Sequence, residues 1–252
     1  MELKKEQYEQ IKECFPKQRK PAKISNLDVL NAVLYVVENG CKWRGLAQRI
    51  RRLARDLCPG EPLGEKGRSS SGVSAFTAIG NHSNKSECGK LGLHLHQGTS
   101  RRNGRFEKNG PQSIGRTRGG WNTKLHMVAA SDRDGVTFSL SAGNCGDGPE
   151  GRALLQKLGP IDHPLYLLMD RAYEGDETRA LAVKLGYIPV VPPKSNRKNP
   201  WSYDKQLYKQ RNQVERLFRR IKRFRRIFTR YDKLDTIFLA FIYFALIVDA
   251  LM

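Results

Sequence analysis

The sequence predicts an α/β domain in which helices cover the faces of a mixed sheet. From Asn109 onward the predicted elements follow the order β-β-α-β-α-β-α-α, which is typical of this class. A continuous apolar run, "PLYLLM", has the character of a central strand that is covered on both sides. Hydrophobic residues make up 39% of the 252 residues, which is enough for a substantial core.

Helices are predicted for residues 1–50. In "SNLDVLNAVLYVVENG", Ser25 or Asn26 can cap a helix, apolar residues then recur at helical spacing, and Gly40 is a natural stop. Such a region can be a small DNA-binding or assembly module, or it can serve only for packing. The sequence alone does not separate these alternatives.

Residues 51–108 differ from the rest of the chain in composition. They are rich in Gly, Ser and Arg and show no sustained period of 2 or 3.6, so we expect loop or disorder there. A structureless stretch of this length is uncommon inside a compact domain.

Residues 109–252 form the third predicted region, which contains the sheet. "TKLHMVAAS" and "VTFSLSAG" predict a hairpin around the turn "DRDG", and a short helix, "PEGRALLQKLG", precedes the apolar strand. That strand ends at Asp170. The elements expected after it are a helix stopped by Gly186, the strand "YIPVVPP", a basic helix from about Lys205 to Phe228, and an apolar helix from about Leu234 to Leu251.

The charge of the chain points to a polyanionic partner. The formal net charge is +20 and the pI is about 10.0, which makes nucleic acid the first candidate. A ribosomal-type or merely basic soluble protein is the alternative.

Cysteine usage and hydropathy favour a cytoplasmic protein. The five cysteines contain no C-x-x-C pair, so neither a disulfide framework nor a zinc site is indicated. No signal peptide is expected, and the longest apolar run, Ile237 to Val248, is shorter than the about 20 residues of a membrane span.

The basic segment "KQRNQVERLFRRIKRFRR" keeps a single acid, Glu215. A helical wheel at about 100° per residue places this acid at the border of a core stripe, beside a tyrosine and two cations. The predicted core stripe is Val214, Leu217, Phe218, Ile221, Phe224 and Phe228. Tyr208, Arg211, Glu215 and Lys222 lie to one side, and Arg216, Arg219, Arg220, Arg223 and Arg226 occupy the rest.

Two carboxylates are candidates for a metal site. Asp170 ends a buried strand, where open α/β sheets place their ligand sites, although it can instead cap the turn that follows. Glu215 can instead form a simple ion pair with Arg211, four residues earlier on the helix. Together the two carboxylates could hold magnesium beside a phosphate, but catalytic sites of this kind normally need three or more such ligands.

Two blocks of the sequence carry a resemblance to a known family. Tyr208, Arg211, Glu215 and Lys222 reproduce the spacing Y-x2-R-x3-E-x6-K, which resembles the signature of bacterial insertion-sequence DDE transposases of the insertion-sequence-four and insertion-sequence-five groups. "LLMDRAYEGDETR" is similar to the block around their second catalytic aspartate, which maps onto Asp170. "IGRTRGGWNTKLHMVAA" and "GCKWRGL" also resemble the family.

The resemblance implies a ribonuclease-H-like fold and DNA transposition by strand cleavage and transfer with Mg²⁺ or Mn²⁺. It makes Asp170 and Glu215 the catalytic and metal-binding residues. It also implies double-stranded DNA as the partner, both as terminal repeats and as target, with at least a dimer on DNA and a nucleoid-associated location. The implied DNA contacts are Tyr208, Arg211, Arg216, Arg219, Lys222 and Arg223.

One part of the family pattern is missing. The first catalytic aspartate should lie in a Leu-Asp-Ser-Thr block on the first strand, but no aspartate occurs between Asp56 and Asp132. With suitable codons, a one-base shift turns Leu91–His94 into Leu-Asp-Ser-Thr, and the same shift makes residues 51–67 family-like. We therefore interpret about 51–107 as an out-of-frame segment; a divergent member with an unusual insertion is the alternative. The first strand is accordingly expected to be lost or disordered.

Three functions remain open at this stage. The first is a transposase, whose activity the missing aspartate puts in doubt. The second is a non-catalytic DNA-binding remnant of a transposase, and the third is a basic RNA-binding or structural protein.

Overall fold

The computed structural model describes residues 1–15, 24–43, 46 and 110–252, together with the backbone of a strand at 90–100. The first two ranges contain α1 (Lys5–Ile11), a 3₁₀ turn (Lys12–Cys14) and α2 (Asn26–Asn39).

The predicted boundaries of α2 are confirmed. The Ser25 hydroxyl accepts a hydrogen bond from the Asp28 backbone N–H at 3.1 Å, which caps the first turn. Gly40 ends the helix with a φ of 62°, a left-handed conformation that glycine adopts at low cost.

A single mixed sheet forms the centre of the described structure. Its strands are β1 (Lys90–Ser100), β2 (Gly115–Thr117), β3 (Gly120–Ala129), β4 (Gly135–Ala142), β5 (Leu165–Met169), β6 (Tyr187–Val190) and β7 (Thr229–Arg230). The order is β2-β3-β1-β5-β6, with β4 paired to β3 and β7 paired to β1. β1 runs antiparallel to β3 and parallel to β5, and β5 runs parallel to β6. The predicted hairpin and the predicted central strand are both confirmed.

Helices cover both faces of the sheet, as predicted. They are α3 (Asp147–Leu158), α4 (Asp176–Lys184), α5 (Lys205–Lys209), α6 (Asn212–Lys222), α7 (Arg225–Phe228) and α8 (Asp235–Leu251). On one face, α3 and α4 pack on Leu167 and Met169 of β5. On the other face, α6 and α8 pack on Leu125 and Met127 of β3. Successive side chains of a strand point to opposite faces of the sheet, so the same strands contribute residues to both cores.

The N-terminal helices share the second of these cores. Leu30, Leu34 and Val37 of α2 belong to the same buried cluster as Phe218 and Ile221 of α6. This contact gives α2 a packing role. The division of the chain at residues 50 and 108 stays a prediction.

The expectation that the first strand is lost is wrong. The backbone at Lys90–Ser100 forms β1, and Gly92 and Leu93 pair with Leu168 and Met169 of β5. The sequence "LGLHLHQ" places leucine at every second position, which is the period of a strand. The surrounding Gly- and Ser-rich composition concealed this short period. The rest of the out-of-frame segment, 51–89 and 101–107, lies outside the described residues.

The predicted basic helix, Lys205 to Phe228, is interrupted twice. It breaks between α5 and α6 at Gln210 and Arg211, and again at Phe224, whose extended backbone (φ −76°, ψ 103°) separates α6 from α7. The Phe224 ring is fully buried, as the core stripe predicts. Phe228, the last member of that stripe, is instead 52% exposed, because the second break changes the direction in which it points.

Candidate active site and nucleic-acid surface

Asp170 follows the last residue of β5, as the sequence predicts. Its backbone is still extended (φ −65°, ψ 151°), so the alternation of the strand continues through it. Leu167 and Met169 face α3 and α4. Leu168 and Asp170 therefore belong to the opposite face of the sheet, which is the face that α6 covers.

Tyr208 and Arg211 connect Asp170 with Glu215. Burial raises the pKa of Tyr208; the positive charge of Arg211 opposes this shift, and the negative charge of Asp170 adds to it. The Arg211 guanidinium lies 5.5 Å from the centre of the Tyr208 ring and donates a hydrogen bond to Glu215 Oε1 at 2.5 Å. The predicted ion pair at i and i+4 is thus present, and its arginine also interacts with Tyr208, whose hydroxyl feels the negative charge of Asp170.

The short helix α5 carries Tyr208 just before the start of α6. The Asp204 carboxylate caps α5 by accepting hydrogen bonds from the backbone N–H groups of Gln206 and Leu207. The ring of Tyr203 lies edge-on to that of Tyr208 at 5.6 Å between centres. These contacts fix Tyr208 at the end of a short helix, just before α6 starts.

The arginines of the basic segment divide into exposed and structural side chains. Arg216 and Arg219 are exposed on α6, and Lys222 is half-buried. Arg220 and Arg223 both donate to Asp249, whose carboxylate is fully buried. The DNA-contact prediction for Arg223 therefore competes with a packing role that the spacing did not indicate.

Arg226, which the helical wheel groups with the other arginines outside the core stripe, is buried. It is only 8% exposed, pairs with Asp232 through two hydrogen bonds, and donates to the backbone carbonyl of Cys41. The reason is the break at Phe224, which turns this residue towards α2.

A buried polar network supports the turn after Asp170. The Tyr173 backbone N–H donates to the Asp170 carbonyl at 2.8 Å, and the Tyr173 hydroxyl lies 2.6 Å from Nδ1 of His126. Nε2 of His126 lies 2.7 Å from the Ser141 hydroxyl. A Cβ added to Gly151 of α3 would lie 2.4 Å from the Tyr173 ring, so only glycine fits at this contact.

Sequence reasoning missed this network. His126 lies in "TKLHM" and was placed in a strand without a role. Burial lowers its pKa to about 4, with Asp147 raising it and Lys124 lowering it further. Burial also raises the pKa of the Tyr173 hydroxyl, with help from Asp147, Asp170 and Glu150. A polar residue in the middle of an apolar strand was the available signal.

A second network holds the segment that joins β6 to α5. Glu174 is buried, and it accepts hydrogen bonds or ion pairs from Arg197 and Lys194. Burial opposes ionisation of Glu174, but these cations prevail and lower its pKa. Arg197 also reaches Asp176 at 2.7 Å. The residues that follow Asp170 are thereby tied to the connection that leads from β6 to Tyr208.

The described residues do not supply a complete ligand set for a catalytic metal. Within them, no group of three Asp, Glu, His or Cys side chains is placed to hold an ion. The strand where the family pattern requires an aspartate reads "KLGLHLHQGTS", which has no carboxylate. Asp170 and Glu215 are suitable donors for a hard divalent cation, but two are too few.

Residues 98–248 match the family described as the transposase DDE domain. The chain belongs to this family. The match spans more than half of the chain and includes both Asp170 and Glu215. The insertion-sequence transposase resemblance and the function class that follows from it are therefore confirmed. Members of the family use divalent metal ions.

A relative and a solved structure agree with the family. The chain is 33% identical over 124 residues to a protein of Brucella ovis named as a transposase for insertion sequence element IS6501; the match covers 49% of this chain and 93% of the relative. The fold is similar to that of piggyBac transposase, solved in a synaptic complex with hairpin DNA, with a TM-score of 0.55 and 9% identity. That similarity covers 97% of this chain and 69% of the other. The ribonuclease-H-like fold class is confirmed.

The helices of the described ranges include none that is long and apolar enough to cross a membrane. The most apolar of them, α8, is packed into the core that contains α2 and α6.

Proposed function

We propose that this transposase binds the double-stranded DNA of its element ends along α6, and that Asp170 and Glu215 are two carboxylates of an incomplete divalent-metal site. The observation that carries the proposal is the link from Asp170 through Tyr208 and Arg211 to Glu215. These interactions link carboxylates with a cation, which supports a site where a phosphate is held beside Mg²⁺.

The DNA-binding part of the proposal rests on the exposed cations around this link. Arg216 and Arg219 are exposed, and Tyr208, Arg211 and Lys222 are half-buried beside them. Cations of this kind bind phosphates without reading sequence, and they release counterions when they do so. Recognition of a particular terminal repeat requires contacts to base edges in addition.

The incomplete site favours a second candidate function, a transposase that binds DNA without cutting it. β1 is in place beside β5 but carries no carboxylate. The one-base shift puts the missing aspartate codon across Gly92 and Leu93. Gly92 pairs with Leu168, so position 92 shares a sheet face with Leu168 and Asp170. Strand spacings of ~4.8 and ~3.3 Å place it roughly 8 Å from Asp170, Cα to Cα.

Gly92→Asp tests the assignment of the missing ligand. We expect it to raise the affinity for Mn²⁺ by about tenfold or more, because a third carboxylate adds charge and an oxygen ligand at the site. Gly92→Asn is the matched control and should not produce this gain. Mn²⁺ binding is measured by electron paramagnetic resonance. An equal gain in the Gly92→Asp, Asp170→Asn double variant would show that the ion binds elsewhere.

A further inference from the structure

The hairpin of β2 and β3 presents a second basic surface, separate from α6. Thr117 pairs with Gly120, so Arg118 and Gly119 form a two-residue turn at its tip. Arg116 and Arg118 are both exposed, and neither makes an ion pair within the part of the chain that the structure describes. The sequence contains no acid from Lys108 to Ser131. Among the described residues, these two arginines therefore keep their positive charge unpaired by any carboxylate.

The hairpin is rigid enough to position its arginines. Asn122 Nδ2 donates to the Thr117 hydroxyl at 2.7 Å, which in turn donates to the Gly120 carbonyl at 3.2 Å. Gly120 has a φ of 100°, which a side chain would strain. Gly143 lies against the base of the hairpin. A Cβ at this position would lie 1.4 Å from Asn122 Oδ1, so glycine is required there as well.

A buried arginine anchors the base of the hairpin to the rest of the fold. Arg230 is fully buried and donates to the Thr123 hydroxyl at 2.8 Å and to Asp235 at 2.6 Å. The Thr123 hydroxyl itself donates to the Ser113 carbonyl. The tip is therefore exposed on a firmly held base.

The tip projects from the edge of the sheet at which Asp170 lies. β3 is antiparallel to β1, and β1 is parallel to β5, so Gly120 lies at the end of the sheet where β1 and β5 finish. In the register of the sheet, Asn122 of β3 pairs with Thr99 of β1, and Met169 of β5 pairs with Leu93 of β1. About eight residues of strand at ~3.3 Å separate the tip from the level of Asp170, or roughly 25 Å. B-DNA covers this distance in about seven base pairs at 3.4 Å each.

We infer that the β2–β3 hairpin binds the phosphate backbone of the DNA duplex that lies on α6, about seven base pairs from the phosphate at Asp170. Arg116 and Arg118 each contact a phosphate. The inference rests on the proposed function, because it assigns a further contact to the same DNA. It extends the surface from one helix to two separated elements, which would fix the direction in which the duplex leaves the site.

Salt-dependent binding to a DNA duplex of about 30 base pairs tests the inference. For Arg118→Gln we expect the slope of log affinity against log salt to fall by about one unit, and for Arg116→Gln with Arg118→Gln by about two. Arg133→Gln is the matched control. Arg133 is also an exposed turn arginine, but it lies on the β3–β4 turn at the opposite end of the strands. The slope of log affinity against log salt should therefore not change in Arg133→Gln.

Duplex length supplies a second readout. The native chain should gain affinity as the duplex grows from about six to about fourteen base pairs, because the longer duplex reaches the hairpin. Arg116→Gln with Arg118→Gln should not show that gain, and Arg118→Gln alone should show a smaller one. Equal effects of Arg118→Gln and Arg133→Gln, or no effect of either, would overturn the inference.

The failures of the two proposals can be told apart. If Arg216→Gln with Arg219→Gln weakens binding while the hairpin variants do not, the hairpin inference alone fails. If the native chain does not bind duplex DNA at 50 mM salt, a concentration at which nonspecific binding is strong, both proposals fail. Stronger binding to an RNA duplex than to DNA of the same length would also contradict both.

Discussion

Glu215 combines the two roles that the sequence leaves as alternatives. It forms the predicted ion pair with Arg211, and that same arginine leads to Tyr208 and Asp170. The spacing of Tyr208, Arg211, Glu215 and Lys222 predicts that their side chains lie on one side of the helix. It could not predict the electrostatic interaction between Tyr208 and Asp170, because that interaction depends on how α5 is placed in three dimensions.

Removing the Glu215 carboxylate should spare DNA binding. Glu215→Ala takes a negative charge from a cationic surface and releases Arg211 from its pair, so duplex affinity should stay the same or rise slightly. Titration of a labelled duplex at fixed salt measures the effect, with Glu215→Gln as the control that keeps the shape of the side chain. Clear weakening in both variants would mean that Glu215 orders the DNA-binding surface.

The buried imidazole of His126 should make stability depend on pH. Its pKa falls from 6.5 to about 4 on folding, so it stays neutral in the folded chain while the unfolded chain takes up a proton. The stabilisation is complete above about pH 6.5 and is lost as the pH falls towards 4. Between pH 7 and pH 5 the loss should be about 2 kcal/mol.

Denaturant unfolding at the two pH values measures the loss attributed to His126. Glutamine at position 126 does not titrate in this range. In His126→Gln the difference in the free energy of unfolding between pH 7 and pH 5 should therefore shrink by about 2 kcal/mol. The charged groups that act on the ring, Asp147 and Lys124, are the same in both proteins. An unchanged pH dependence in the variant would contradict the assignment.

At the scale of the elements, α6 carries two kinds of arginine that should respond differently to mutation. Arg216→Ala with Arg219→Ala removes exposed cations and should weaken DNA binding, with little effect on stability. Arg220→Ala with Arg223→Ala removes the two arginines that pair with the buried Asp249 carboxylate, which should cost about 3 kcal/mol of stability.

Unfolding and duplex titrations on both double variants separate these effects. Each variant loses two positive charges from the same segment, so the pair is matched in net charge. Similar stability losses in the two would show that the ion pairs with Asp249 contribute little.

The elements also show what the sequence could and could not predict. The hairpin of β3 and β4 and the helix α2 have clear periodic or turn signals, and β5 and α8 have continuous apolar runs, so the sequence predicts their positions well. β1 was missed because its pairing partners are far away in the chain, from Asn122 to Ala129 and from Tyr166 to Met169. The break at Phe224 was missed because apolar spacing continues through it, although the backbone leaves the helix.

The candidate site was predicted in part for a similar reason. Asp170 and Glu215 each have a local signal: an acid after an apolar run and a lone acid among arginines. Tyr173 and His126, which support the turn after Asp170, have no specific local signal in the sequence. Their contacts arise from packing between β3, β4 and the turn after β5. Local patterns indicated the chemistry, whereas the groups that position it follow from the tertiary fold.

At the scale of the whole molecule, the sheet is formed, but the described residues provide only two carboxylates for the expected metal site. The sheet, both cores and the link from Asp170 to Glu215 are formed around a strand with no carboxylate. A protein of this kind should bind DNA through its cations and should not cut it. This separation of binding from cleavage is the central claim about the chain.

The most direct test measures magnesium-dependent nicking and binding together on a duplex that contains an end of the element. The chain as it stands is compared with a protein in which the shifted frame across codons 51–107 is restored, so that Leu-Asp-Ser-Thr replaces Leu91–His94. We predict that both proteins bind, that only the restored protein nicks, and that Glu215→Ala in the restored protein abolishes nicking while sparing binding. Robust magnesium-dependent nicking by the chain as it stands would contradict the account of a missing ligand.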